Sequence, residues 1–359
     1  MRFAKLVPTL VLVGFVVMAC GGSNNGGTAA AKKIALLLPE SKTARYESKD
    51  RPYFVAKLKS LGFDTDANLI YSNANQDAPT QQTQAEAALT NGASVLVLDP
   101  VDGAAAAAIV AKAKAKNVPV ISYDRLILGT ADLNYYLSFD NAAVGALQGT
   151  ALLTALNGKA NAKIVMINGD PADNNAKLFK QGAHSILDGK VTIAKEYDTP
   201  SWSPDKAQTE MQGAITAVGK NIDGVYAAND GTAGGAIAAM KSAGITPLPP
   251  ITGQDAELAA IQRILGGEQY MTVYKALKAE AEAAATLAYD LATGAAVPAS
   301  MTNGKTTNNG AADIKSVLLT PVAVTKANIK DTVVADGFWT KADICTGTYA
   351  AACTSAGIS

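Results

Sequence analysis

Residues 95–125, VLVLDPVDGAAAAAIVAKAKAKNVPVISYDR, decide the architecture. Val95–Leu98 is a short apolar run, Gly103–Lys116 an alanine-rich stretch, and Val118–Ser122 a second apolar run. A strand, a helix of roughly 10–15 residues and another strand make a βαβ unit with parallel strands. A right-handed crossover lays that helix on one face of the sheet. The same alternation extends upstream: strand Ile34–Leu38, helix Arg51–Leu61, strand Leu69–Tyr71 and helix Pro79–Thr90. Downstream, Tyr135–Phe139 is extended and a helix follows from about residue 142 to 156. Strands are expected at 163–167, 191–196, 224–227, 250–252 and 270–274, with helices at 176–187, 204–218, 233–242, 257–265 and 276–292. Residues 294–313 are polar, and Val317–Val324 reads as one more apolar run. The expectation is an α/β protein with two doubly wound lobes, each a parallel sheet covered on both faces.

The composition narrows the function classes. Of 359 residues, 48% are hydrophobic and 17% charged, which suits a folded globule rather than a disordered chain. Lys+Arg and Asp+Glu are both 31, so the basic excess of a nucleic-acid binder is missing. A single histidine, His184, excludes a His-rich metal site, and it lies mid-helix with no nucleophile pattern beside it. Three cysteines cannot make a four-thiolate zinc site. No metal and no cofactor are expected. Gly304-Lys305-Thr306 looks like the end of a phosphate-binding loop, but position 299 is Ala where that motif needs Gly. Gly231–Gly235 opens a helix but is better explained by close packing, and there is no GxSxG elbow.

The N-terminus carries an export signal. Arg2 and Lys5 precede an apolar run from Leu6 to Met18, too short for a comfortable membrane span. The run ends in Val17-Met18-Ala19-Cys20, which resembles the lipobox of bacterial lipoproteins, with Cys20 as the lipidated residue. Residues 1–20 are then a lipoprotein signal peptide and 21–32 a flexible tether. Loss of Arg2 and Lys5 leaves the mature chain slightly acidic. The expected location is extracytoplasmic, lipid-anchored to the outer face of the cell membrane or periplasmic. Cys345 and Cys353 can pair there, since that compartment tolerates disulfides; two free thiols in a frayed tail is the other option.

Ligands of open α/β sheets bind beyond the carboxyl ends of the strands. Arg45, Tyr46 and Glu47 follow the first strand, and Asp124 and Arg125 follow the fourth. Asp173-Asn174-Asn175, Trp202, Asn229-Asp230, Gln254-Asp255 and Lys275 follow later ones. Carboxylates accept hydroxyl protons, amides both give and accept, and Arg offers a rigid fork of donors. An aromatic such as Trp202 or Tyr46 covers the C–H face of a sugar ring. Singly, each residue has a plainer reading. Asp102, Asp173, Asp230 and Asp255 precede helices and fit N-caps. Trp202 fits a helix staple, and Arg45, Arg125 and Lys275 fit solvated surface charges. The recurrence at seven strand ends favours a polyhydroxylated ligand.

The stretches SKTARYESKDRPYF, VISYDR, YYLSFDN, DNNAKLFKQGA, AANDGTAGGAIAA, TGQDAELAAIQRI and MTVYK occur in this order. Together they resemble the bacterial substrate-binding proteins of ABC sugar importers, most closely the xylose-binding members, over residues 33–340. The resemblance implies a periplasmic binding protein type I fold, with two lobes joined by a three-segment hinge that close on a sugar. The lobes would be 33–141 plus 276–315 and 142–275 plus 316–340, followed by a tail, 341–359. It implies ligand contacts at Arg45, Tyr46, Asp124, Arg125, Asn175, Trp202, Asn229, Asp255 and Lys275. Tyr46 stands where Trp is usual. The implied partners are a monosaccharide and an ABC permease, with no nucleic acid, membrane contact only through the lipid, and a monomeric state. A sensor that shows its closed form to a membrane receptor is a second reading, and a secreted glycosidase a third. The ligand core of a lac-repressor-like regulator is excluded by the missing headpiece.

Overall fold

The computed structural model describes Met1 and residues 32–358. Cys20 and the tether, on which the lipidation expectation falls, lie outside the described residues. Residues 32 onward form one compact unit. Its strands are β1 (Lys33–Leu38), β2 (Leu69–Asn73), β3 (Ala93–Leu98), β4 (Val120–Tyr123), β5 (Tyr135–Phe139), β6 (Lys163–Asn168), β7 (Thr192–Asp198), β8 (Gly224–Ala227), β9 (Met271–Tyr274), β10 (Thr306–Asn308), β11 (Asp313–Leu319) and β12 (Val322–Thr325).

The first sheet has the order β10-β11-β5-β4-β3-β1-β2 and is parallel except for the edge hairpin β10-β11. Alternate residues of each strand face opposite covers. Ala35, Leu37, Leu96 and Leu98 pack under Ala85, Leu89, Ile109 and Val110 of helices Ala78–Thr90 and Ala107–Ala115. Ile34, Leu36, Val95, Val97 and Ile121 pack under Phe54, Leu58, Ala281, Ala284 and Ala288 of helices Arg51–Ser60 and Leu277–Thr293. Burial on both faces is what turns these strands into unbroken apolar runs.

The second layer is β7-β6-β8, all parallel. Beyond β8 run the segment 250–255 and the antiparallel pair β9-β12, joined by the bridges Val225–Ile251 and Gln254–Val273. The strand expected at 250–252 is therefore reduced to a bridge, because Pro249 and Pro250 have no N–H to donate to a ladder. Helices Asn141–Leu156 and Asn174–Leu187 cover one face of this layer, and Pro204–Val218 and Asp230–Ser242 the other.

The chain passes between the layers three times: after β5, between β9 and helix Leu277–Thr293, and between β11 and β12. The third passage comes later than expected. β11 stays in register with β5 from Ser316–Tyr136 to Leu319–Phe139. Thr320-Pro321 then interrupts the run that had been read as continuous from 317 to 324. The crossing consequently lies at 320–321, not at 315/316. The C-terminus also departs from a frayed tail. Ile344, Cys353 and Ile358 are buried against Ile261, Leu265, Tyr274 and Leu277, and Cys345 is disulfide-bonded to Cys353 with a Cα–Cα separation of 5.8 Å. Among the described residues, no helix is long and apolar enough to cross a membrane.

Candidate functional site

The strand ends of both layers meet in one small cavity. Its wall contains Arg45, Tyr46, Asp124, Arg125, Asn175, Trp202, Asn229, Asp255 and Lys275, so all nine candidate ligand residues are brought together. Each is at most 4% exposed, and the cleft is shut.

Several of these residues are held in unusual backbone shapes. Asp124 (φ 54°), Trp202 (φ 48°) and Asp255 (φ 90°) all have positive φ, a region uncommon for non-glycine residues and typical of functional sites. Asp124 is fixed by its N–H to Leu137 O (2.8 Å), while its carbonyl accepts from Ser138 Oγ (2.7 Å) and Asn175 Nδ2 (3.0 Å). Its side chain consequently turns into the cleft. Trp202 reaches the wall because residue 169 is glycine: a Cβ there would lie 2.0 Å from the indole Cη2. The ring meets Phe179 edge to face at 6.3 Å, and its Nε1–H donates to Asp173 Oδ2 (3.1 Å).

Every cation of the site is paired with carboxylates inside the protein. Arg45 donates Nε and Nη2 to Asp50 (2.9 and 2.6 Å), Nη2 to Glu280 (2.8 Å) and Nη1 to Asp124 (3.3 Å). Tyr46 Oη donates to the other Asp124 oxygen (2.9 Å). Arg125 pairs with Asp173 (3.1 Å) and faces Asp99 and Glu40, each at 3.6 Å. Lys275 Nζ lies 3.2 Å from Asp255 and 3.7 Å from Asp124. Burial raises the Asp124 carboxyl, but Arg45, Lys275 and Arg125 outweigh it and hold that group well below the usual carboxylate range. Burial pushes Asp99 well up and Asp173 up to about 6, with Arg125 opposing both shifts.

Two acceptors on the wall lack a donor. Gln254 Oε1 and Asp255 Oδ1 are buried without a hydrogen bond, although Lys275 is near the latter. A buried acceptor left bare costs roughly 1–3 kcal/mol, so the occupant of this cavity should bring O–H or N–H donors. With each cation already beside a carboxylate, no free cation is left for an anionic occupant. Among the described residues, no cluster of His, Cys, Asp or Glu is arranged to hold a metal ion.

The sequence reading missed Thr43 and Phe179 on the wall, and it weighed Asp173 as a strand-end ligand residue or a helix cap without placing it among the ligand contacts. Asp173 does cap, accepting from Asn175 N–H (2.8 Å), but its second oxygen serves Trp202 and Arg125. Phe179 stands four residues after Asn175, one turn along the same helix face, which is the signal that could have found it. Glu47 is not at the site; its carboxylate binds Tyr71, Asn73 (2.8 Å) and Arg51 (3.2 Å) outside. Asp102 is a plain cap, accepting from Ala104 and Ala105 N–H.

Residues 34–296 match the model of the periplasmic binding protein domain. The chain belongs to that family. The D-xylose-binding periplasmic protein of Escherichia coli (strain K12) is 39% identical over 327 residues, which cover 90% of this chain and 95% of that protein. A multiple sugar-binding periplasmic receptor of Rhizobium radiobacter is 33% identical over 330 residues, 86% of this chain and 91% of its own. Among solved structures, an ABC transporter solute-binding protein from Clostridium phytofermentans with bound β-D-glucose superposes with a TM-score of 0.81. It is 28% identical, and the match covers 87% of this chain and all of that one. In this periplasmic binding protein the three passages between layers are the hinge segments of the type I fold, and the cavity lies between the lobes they join.

Proposed function

We propose that this chain is an extracytoplasmic sugar-binding lipoprotein that delivers a monosaccharide, D-xylose first among candidates, to an ABC importer. The observation that carries the reading is the shut cavity itself. Nine residues from the ends of six strands and the 250–255 segment line it, it has an aromatic wall, its cations are each paired with carboxylates, and two acceptors await hydroxyl donors. The similarity to a D-xylose-binding protein along nearly the whole chain supports the choice of pentose.

In this reading the ligand contacts are Arg45, Tyr46, Asp124, Arg125, Asn175, Trp202, Asn229, Asp255 and Lys275. The first lobe is 33–141 with 276–319, and the second is 142–275 with 320–340. Sugar docks on one lobe, and the other closes over it as the hinge segments absorb the rotation. Closure is favoured only by the extra affinity of the shut form for sugar. The shut form is what the permease recognises. No bond is made or broken. Cys20 carries the lipid that keeps the monomeric globule at the outer face of the membrane.

A second reading is a sensor that presents its closed form to a membrane receptor, favoured by the similarity to a protein named as a receptor. The first test is a thermal-shift screen of pentoses and hexoses. D-Xylose should raise the melting temperature more than the other sugars. No shift with any monosaccharide rejects the proposal, and a larger shift with a hexose rejects xylose as the cargo.

A further inference from the structure

The loop after β6 carries two carboxylates, Asp170 and Asp173, that do the same thing at two places. Asp170 Oδ2 accepts from Ser201 N–H at 2.7 Å and from the Gln76 amide at 2.8 Å. Asp173 Oδ2 accepts from Trp202 Nε1–H at 3.1 Å and lies 3.1 Å from Arg125 Nε. Ser201 and Trp202 are neighbours in the segment that seats the cavity's indole ring. Gln76 and Arg125 belong to loops at the ends of β2 and β4, on the opposite side of the cleft. Asp170 thus hydrogen-bonds both the Trp202 segment and the facing lobe, and Asp173 hydrogen-bonds the indole while its charge pairs with Arg125 of the facing lobe.

Both ends of the outer bridge are conformationally strained. Asn75 and Gln76 have φ of 49° and 64°, and Ser201 and Trp202 have φ of 61° and 48°. Positive φ in consecutive non-glycine residues persists only where surrounding contacts over-determine it. For Ser201 and Trp202, those contacts are the two carboxylates and Gly169. For Gln76, they are its N–H bond to Pro39 O (2.7 Å) and its amide bond to Asp170. Gln76 is outside the cavity wall and half-buried at the rim.

We infer that Gln76, Asp170 and Asp173 are positioning residues that couple the seat of Trp202 to closure of the cleft, so that the indole is locked in its ligand-facing pose only when the lobes are shut. Opening breaks the Gln76 and Arg125 contacts at once, and the two carboxylates then hold the Trp202 segment without their cross-cleft anchors. Closing restores them and fixes the ring. The consequence is kinetic. A sugar meets a loosely seated Trp202 on entry and a fixed one afterwards, so removal of the clip speeds release far more than it slows capture.

This inference rests on the cavity being a sugar site. Its test is stopped-flow fluorescence with D-xylose in a Trp339→Phe background, where Trp202 is the only indole, since the chain has two tryptophans. Gln76→Ala should raise the dissociation rate about tenfold, the effect of about 1.4 kcal/mol, with the association rate within threefold and the melting temperature of the ligand-free protein unchanged. Gln76→Glu, which sets a second carboxylate against Asp170, should be at least as severe. Gln76→Ala combined with Asp170→Asn should release sugar no faster than the more severe single variant, and the Trp202 emission of the sugar-bound variants should shift towards that of the free protein. Wild-type release rates in Gln76→Ala and Gln76→Glu, or effects that simply add in the double variant, overturn the coupling while leaving the sugar site standing. Absence of any sugar signal in the parent overturns both.

Discussion

Gly169→Ala separates a ligand-facing Trp202 from one that merely packs. Residue 169 is not itself on the cavity wall, yet a Cβ there would sit 2.0–2.4 Å from three atoms of the benzo edge of the indole. One side must give. Gly169 directly follows β6, which is paired on both sides with β7 and β8, whereas Trp202 sits in a short positive-φ turn. The ring should therefore move. Displacement costs the charge-assisted bond to Asp173, about 1.5–3 kcal/mol, and the contact with Phe179. Overpacking a fitted core adds about 1–3 kcal/mol wherever relaxation is incomplete. If Trp202 is an anchor for the ligand, losing its pose removes at least about 2 kcal/mol of binding. That corresponds to roughly a 30-fold rise in Kd. The assay is a calorimetric titration with D-xylose, paired with the melting temperature and the Trp202 emission in the Trp339→Phe background. The expected result is a Kd raised about 30-fold or more in a protein that still folds, with red-shifted emission. A Kd within threefold of wild type together with a shifted spectrum would show that the indole is packing and not a ligand surface.

Arg45→Ala leaves Asp50, Glu280 and Asp124 buried without their shared cation, so about 3–5 kcal/mol of stability should be lost, read by urea unfolding, in addition to sugar binding. Stability should also depend on pH in an unusual direction. Burial raises Glu257 to about 8, with Asp230 and Asp255 adding to the shift, and raises Asp173 to about 6. Between those values and the ordinary carboxylate range the folded chain holds more protons than the unfolded one, so stability rises as pH falls from about 8.5 towards 5. Below about 4 the trend reverses as the unfolded chain protonates ahead of Asp124, which is held low in the folded state. Melting temperatures across this range should show a maximum near pH 5, at least about 3 °C above that at pH 8.5; a flat profile contradicts the assignment. Cys353→Ser opens the disulfide that closes the tail and should cost about 2–3 kcal/mol, seen as an earlier unfolding midpoint in denaturant. Cys20→Ala should abolish incorporation of labelled palmitate; equal labelling of the variant contradicts the anchor.

The core of each lobe was legible because doubly covered strands are plain apolar runs. Ile34–Leu38 and Val95–Leu98 could be read as nothing else once an alanine-rich helix stood between runs. The cavity was legible for a related reason: each such run has to end, and the residues just past the end point at the cleft. What stayed hidden depends on contacts distant in sequence. Glu280 lies in the first turn of a long amphipathic helix, and only the folded chain brings it to Arg45, 235 positions away. Gln76 and Asp170 are 94 positions apart in unremarkable loops. Asp173 was left out of the ligand contacts because an N-cap accounts fully for one of its oxygens and hides the partners of the other. The buried tail was missed because its apolar residues, Ile344, Cys353 and Ile358, are too sparse to show a period. The late crossing at Thr320-Pro321 was missed because two strands of different layers meet there as one apolar run.

The most direct measurement is the calorimetric titration of D-xylose into the wild-type protein and into Asp255→Ala. Asp255 is the wall residue whose Oδ1 still lacks a hydrogen-bond donor. The account predicts one site per chain in the wild type and an affinity lowered roughly tenfold or more in the variant. No heat from the wild type with D-xylose or any other monosaccharide, or equal affinity in the two proteins, would contradict it.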